Sequence, residues 1–152
     1  MLEAPGLGGE TADPRIRPFA PADLPAIAAL DRVATGEDRA HLHRSFAAPQ
    51  TARVLEHDDG SFGGFVVRAP WGGGATIAPD PDDALAILRA RRLAAGPDRR
   101  VRAGLLTDNA AGLERLAAAG WVDSWSAPRL IRGPMPDWNP LAIWGQFDHA
   151  VG

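Results

Sequence analysis

Polar and apolar residues alternate over 15–19 (RIRPF), the two-residue period of a strand with one buried face. Leu24, Ile27, Ala28 and Leu30 then recur at the spacing of one helical face, which predicts a helix over 22–34 with Asp23 as its cap. A second helix is expected over 35–48. Thr35 is placed to cap it, and Glu37 and Asp38 put negative charge in its first turn, where the dipole favours it. Apolar stretches over 51–57 and 62–70 flank Asp59-Gly60, a hairpin signal. A glycine-rich link, WGGG over 71–74, leads to a short apolar strand, ATIAP over 75–79. The helix that follows opens at Asp80-Pro81 and stops at Gly96-Pro97. A strand over 101–107, a helix over 108–120 closed by Gly120, and final strands over 121–133 complete the pattern.

The predicted order is β-α-α-β-β-β-α-β-α-β, an α/β chain with a mixed, mostly antiparallel sheet flanked by helices. Residues 1–14 are rich in Gly, Pro and Ala without periodicity and are expected to be a flexible tail. The domain proper spans 15–134. Residues 135–152 gather Trp138, Trp144 and Phe147, and are expected to form an aromatic arm docked on the domain or on a partner.

Composition narrows the function classes. A chain of 152 residues suits one domain, and 45% hydrophobic with 23% charged residues is ordinary for a globular protein. A net charge of −3 argues against a nucleic-acid binder, which carries a basic stripe; Arg89, Arg91 and Arg92 read as a solvated helix face. With no cysteine there is neither a disulfide framework nor a thiolate metal site. No apolar run approaches the roughly 20 residues that span a bilayer, and the first residues lack a signal peptide's basic and apolar regions, so the expectation is a cytoplasmic protein. Lysine and tyrosine are absent altogether, which removes two common catalytic groups.

The stretch TDNAAGLERLAAAGWVDSW (107–125) resembles the second motif of the GCN5-related N-acetyltransferases (GNAT), where an Asn opens a helix that ends in Gly and an aromatic. Asn109, Gly120 and Trp121 fall on those positions. GEDRAHLHRSF (36–46), IAPDPDDALAIL (77–88) and LIRGPMPDWNP (130–140) are similar to the C-terminal domains of tandem GNAT proteins, so a homodimer or a separate GNAT domain is an implied partner. The resemblance implies acetyl-CoA along Ile77, Ala78 and Pro79, whose strand would splay and pair with the pantetheine arm. Asp82, Asp83 and Ala84 at the next helix start, with Asn109, would complete that site. It also implies transfer of an acetyl group to a small amine.

Two features depart from the family pattern. Its pyrophosphate loop carries Arg/Gln-x-x-Gly-x-Gly/Ala, whereas DPDDA here is short, acidic and free of glycine. Asp80 is placed to cap the helix, Pro81 suits its first position, and Asp82 and Asp83 complement its dipole, so the carboxylates themselves can occupy the amides a phosphate would use. The tyrosine that serves many members as general acid aligns with Leu116.

Candidate chemistry sits elsewhere too. Glu56 and His57 end the second strand, where a base could deprotonate an amine, or where two polar residues merely lead into a turn. Asp38 and Arg39 could line a substrate cleft, with Arg39 binding a carboxylate bidentately, or form a cap and an internal ion pair. His41 and His43 point to opposite helix faces, so a shared metal would need distant ligands such as His57 or His149; no metal is expected. Trp121 and Trp125 are candidates for an aromatic substrate pocket or for plain core. Three functions stay open: an N-acyltransferase, a non-catalytic GNAT-like module for a small molecule or partner, and a GNAT scaffold reused for CoA-independent chemistry.

Overall fold

A computed structural model describes residues 1–9, 11–71, 73–128 and 132–147. Among them the chain is mixed α/β, with four α-helices and two antiparallel sheets. The strands are β1 (Leu2–Pro5), β2 (Ile16–Pro18), β3 (Ala52–Glu56), β4 (Phe62–Arg68), β5 (Gly74–Ile77), β6 (Arg100–Ala103), β7 (Val122–Asp123) and β8 (Ile143–Gly145). The helices are α1 (Leu24–Thr35), α2 (Ala40–Phe46), α3 (Pro81–Ala95) and α4 (Ala110–Ala118). The five-stranded sheet runs β2-β3-β4-β5-β8 and the three-stranded one β6-β1-β7.

The larger sheet is apolar on both faces because helices cover both. Phe65, Val67, Ala75, Ile77 and Ile143 face a core shared with Ile27 and Ala34 of α1. Their neighbours Val66, Ala78 and Trp144 face the opposite core, with Ala84, Ile87 and Leu88 of α3 and Leu116 of α4. The period of two decides which core each residue joins. Leu2, Ala4, Val101 and Ala103 of the small sheet close that second core.

The structure revises two expectations and sharpens two others. The first residues are not all a flexible tail: Leu2–Pro5 pairs with Arg100–Ala103 on one edge, and Leu2 and Glu3 pair with β7 on the other. Thr35 does not cap a second helix but ends α1, whose stop is Gly36 at φ 73°, a left-handed conformation that favours glycine. The helix expected over 35–48 is therefore only α2. Of the two placements expected for the aromatic arm, the structure shows docking on the domain: Ile143–Gly145 is an edge strand of the main sheet, with Trp144 and Phe147 fully buried. Of the last strands expected over 121–133, Val122–Asp123 is present, and residues 129–131 lie outside the described residues.

Candidate functional site

The turn after β5 shows where its carboxylates go. Asp80 caps α3, its side chain accepting from the amides of Asp82 at 2.7 Å and Asp83 at 3.4 Å. Asp82 pairs with Arg115 of α4. Asp83, 5% exposed, accepts from Arg15 Nη1 at 3.0 Å and stands 2.8 Å from His57 Nε2. The protein's own negative charge thus occupies the helix N-terminus and ties it to its surroundings.

Both edges of β5 are in use. One pairs with β4; the other pairs with β8, Thr76 opposite Gly145 and Ile77 opposite Ile143. The Ala78 amide donates to Ala142 O at 3.0 Å, and Ala78 O accepts from Trp144 Nε1 at 3.2 Å. The edge on which the family resemblance sets a pantetheine arm is filled by the chain's own C-terminal strand. Of the other residues expected to hold a cofactor, Ala84 is buried core, Pro79 is exposed, and Asn109 is a buried cap. Asn109 accepts from the Gly112 amide at 2.9 Å and donates to Leu141 O at 3.1 Å. Leu116 is fully buried.

Glu56 and His57 separate in role. Glu56 accepts from Arg17 Nη2 at 2.6 Å, and the same guanidinium grips Asp23 with two bonds of 2.9 Å. Hydrogen bonding to Asp23 and then to Glu56 raises Arg17 above its ordinary range, and the bond from Arg17 holds Asp23 below its own. Arg15, bonded chiefly to Asp13, is raised in the same way. Arg15, Arg17, Glu56, Asp58 and Pro14 line an open cleft of about 220 Å³.

His57 stands beside that cleft in a relay that the sequence reading missed. Its Nδ1 is 2.9 Å from Ser61 Oγ, and its Nε2 is 2.8 Å from Asp83 Oδ2. The hairpin brings the first pair together, since Asp59-Gly60 makes the turn with Gly60 at φ 80°. HDDGS (57–61) carried that much in sequence; Asp83, 26 positions further on, carried no local signal. Gly63 leaves room for the pair, because a Cβ there would stand 2.8 Å from Asp83 Oδ2 and 2.9 Å from His57 Cε1. Asp59 accepts the Ser61 amide at 2.9 Å, and hydrogen bonding from Ser61 holds its carboxyl below the usual range.

Asp38 and Arg39 do not share a cleft. Asp38 is exposed and pairs with Arg32 at 2.6 Å. Arg39 does bind a carboxylate bidentately, but it is the protein's own: Nε and Nη2 lie 3.0 and 2.6 Å from the two oxygens of Asp31. His43 Nε2 is 3.1 Å from Asp31 Oδ2, in ion-pair range but without a well-directed hydrogen bond. Phe65 and Phe147 pack against the imidazole at 5.3 and 5.4 Å. Burial alone would raise the Asp31 carboxyl; His43 and Arg39 outweigh it and hold the group below its ordinary value.

The two candidate tryptophans differ in burial. Trp121 is core, with Arg92 over its ring at 5.7 Å, while Trp125 is 42% exposed. Among the described residues no group of three His, Asp or Glu side chains could hold a metal, and no helix is long and apolar enough to cross a membrane. His149, the remote metal ligand considered above, lies outside the described residues. No protein-family model, curated protein or solved structure matches the chain.

Proposed function

We propose that this chain is a GNAT-like scaffold that does not take acyl-CoA in the family's manner, and that it acts on or binds a small polar molecule at the cleft between Arg15, Arg17, Glu56 and Asp58. The observation that carries this reading is the pairing of β8 with β5. A pantetheine arm would have to displace Ile143–Gly145 and with it the buried Trp144 and Phe147. Each large apolar side chain so exposed costs about 1.5–3 kcal/mol. The acidic turn adds to that cost, since its amides are capped and its carboxylates paired.

The experiment is a calorimetric titration with acetyl-CoA and desulfo-CoA at low and raised salt. The expected result is no binding up to millimolar ligand. Micromolar binding would overturn the reading and favour N-acyl transfer to a small amine, for which His57 beside an open cleft is the supporting observation.

A further inference from the structure

We propose that Ser61 is a nucleophile activated by His57 and Asp83, able to take an acyl group from small activated carboxylic esters and release it to water. This goes beyond the cofactor reading and stands on the relay alone. Acetyl-CoA binding would refute that reading without touching this one, and an inert Ser61 would do the reverse.

The geometry supplies the three roles such chemistry needs. Asp83 accepts from His57 Nε2 at 2.8 Å, which fixes the tautomer that leaves the Nδ1 lone pair free. That lone pair faces Ser61 Oγ at 2.9 Å, within the range of a general base. The two ring nitrogens exchange the places they hold in the usual Ser-His-Asp arrangement, which is defined by roles and geometry rather than by atom names. Arg15 grips the other oxygen of Asp83 at 3.0 Å, so the orienting carboxylate is held from two sides. Asp83 is buried, His57 is partly exposed and Ser61 is exposed, so the nucleophile meets solvent while the orienting carboxylate does not. The other charges near the relay are Asp58 and Asp59 of the turn, Asp13 on Arg15, and Glu56 on Arg17.

In the first step Ser61 Oγ adds to the ester carbonyl as His57 Nδ1 takes its proton. The tetrahedral species then collapses, the C–O bond to the leaving alcohol breaks, and His57 returns the proton to that oxygen. In the second step water adds to the acyl-serine with His57 again as base, giving the free acid and restoring Ser61. The nearest turn amides are already used, Gly60 donating to His57 O and Ser61 to Asp59. An oxyanion hole is worth about 10²–10³-fold, and a positioned base about 10²–10⁴-fold. The activity therefore rests on the base and falls on esters with good leaving groups.

The test uses the whole chain with a fluorophosphonate probe and 4-nitrophenyl acetate, the site of labelling being read by intact and peptide mass. Labelling is expected on Ser61, lost in Ser61→Ala, and slowed at least tenfold in His57→Gln. Ser45→Ala should leave it unchanged. In the unaltered protein the labelling rate should fall on acidification, because only a neutral imidazole can take the Ser61 proton. Three results would each overturn the proposal: label on another residue, a pH-independent rate, or a loss in Asp59→Asn equal to that in His57→Gln. The last would make Asp59 the proton acceptor.

Discussion

Two clusters in this molecule are built from the same three residue types. Asp31, Arg39 and His43 lie at 1%, 5% and 0% exposure; in the other cluster Asp83 is at 5%, but Arg15 and His57 are at 35% and 36%. In the first, Phe65 and Phe147 pack against His43, and Arg39 stands 5.5 Å from the Phe147 ring. In the second, only the carboxylate is buried, and its partners reach water. Taking a charge out of water costs several kcal/mol, so a fully buried trio must stay complete, whereas a half-buried one can lose a proton or a partner at modest cost. The buried cluster serves stability, and the open one is where the proposed Ser61 chemistry would take place.

The sharpest way to break this comparison is to remove each carboxylate. Asp31→Asn is expected to cost about 3–5 kcal/mol, because it removes the buried carboxylate that Arg39 and His43 share. Asp83→Asn should cost only about 1–3 kcal/mol, since Arg15 and His57 can turn to solvent. Urea midpoints measured side by side decide it: equal losses would mean that exposure of the partners does not matter.

Acid sharpens the same contrast. Asp31 titrates below its ordinary value of 3.8, so the folded state binds fewer protons than the unfolded one near that pH. Its contribution is complete above about 3.8 and disappears as pH falls through the depressed value. Asp13 and Asp23 behave alike at the cleft. Between pH 5 and pH 3 the unaltered protein should therefore lose more stability than Asp31→Asn, which still keeps the slope from Asp13 and Asp23. Identical slopes would show that Asp31 is not depressed.

Gly63→Ala probes the open cluster from its floor. The added methyl would meet Leu55 Cδ2 at 2.6 Å as well as Asp83 and His57, and overpacking of this kind costs about 1–3 kcal/mol. The expected companion effect is displaced imidazole resonances of His57 by NMR; unmoved resonances would mean that the methyl is absorbed on the Leu55 side. Smaller still is Asp80→Ala, about 0.5–2 kcal/mol for a lost N-cap, read by thermal denaturation. The smallest effect belongs to Glu56→Gln on its exposed pair with Arg17, about 0.2–1 kcal/mol in a double-mutant cycle with Arg17→Gln.

What was legible in the chain follows the range of the interactions. Asp80-Pro81-Asp82-Asp83 reads as a capped helix start and is one, because a cap acts over three residues. Asp59-Gly60 reads as a turn and is one, because the glycine's positive φ is a local requirement. Thr35 misled, since a threonine before acidic residues suits a helix start, while Gly36 directly after it ended the previous helix instead. The trio Leu2, Glu3 and Ala4 is too short to show a period, and its partners lie about a hundred positions away. Of the two readings open for Arg39, the structure shows the internal ion pair, and its partner Asp31, one helix earlier, carried no local signal.

By itself the sequence determined the order of ten of the twelve strands and α-helices among the described residues, the Asp80 cap and the Asp59-Gly60 turn, and the absence of lysine, tyrosine and cysteine from any mechanism. These follow from periodicity and backbone geometry, which act within a few residues. Only the tertiary structure decided that Ile143–Gly145 would fill the edge of β5, that Asp31 would hold Arg39 and His43, and that Asp83 would meet His57 and, through it, Ser61. Each joins residues distant along the chain, and what brings them together is the burial of apolar faces on a shared sheet, a non-directional force with no local signature in the sequence.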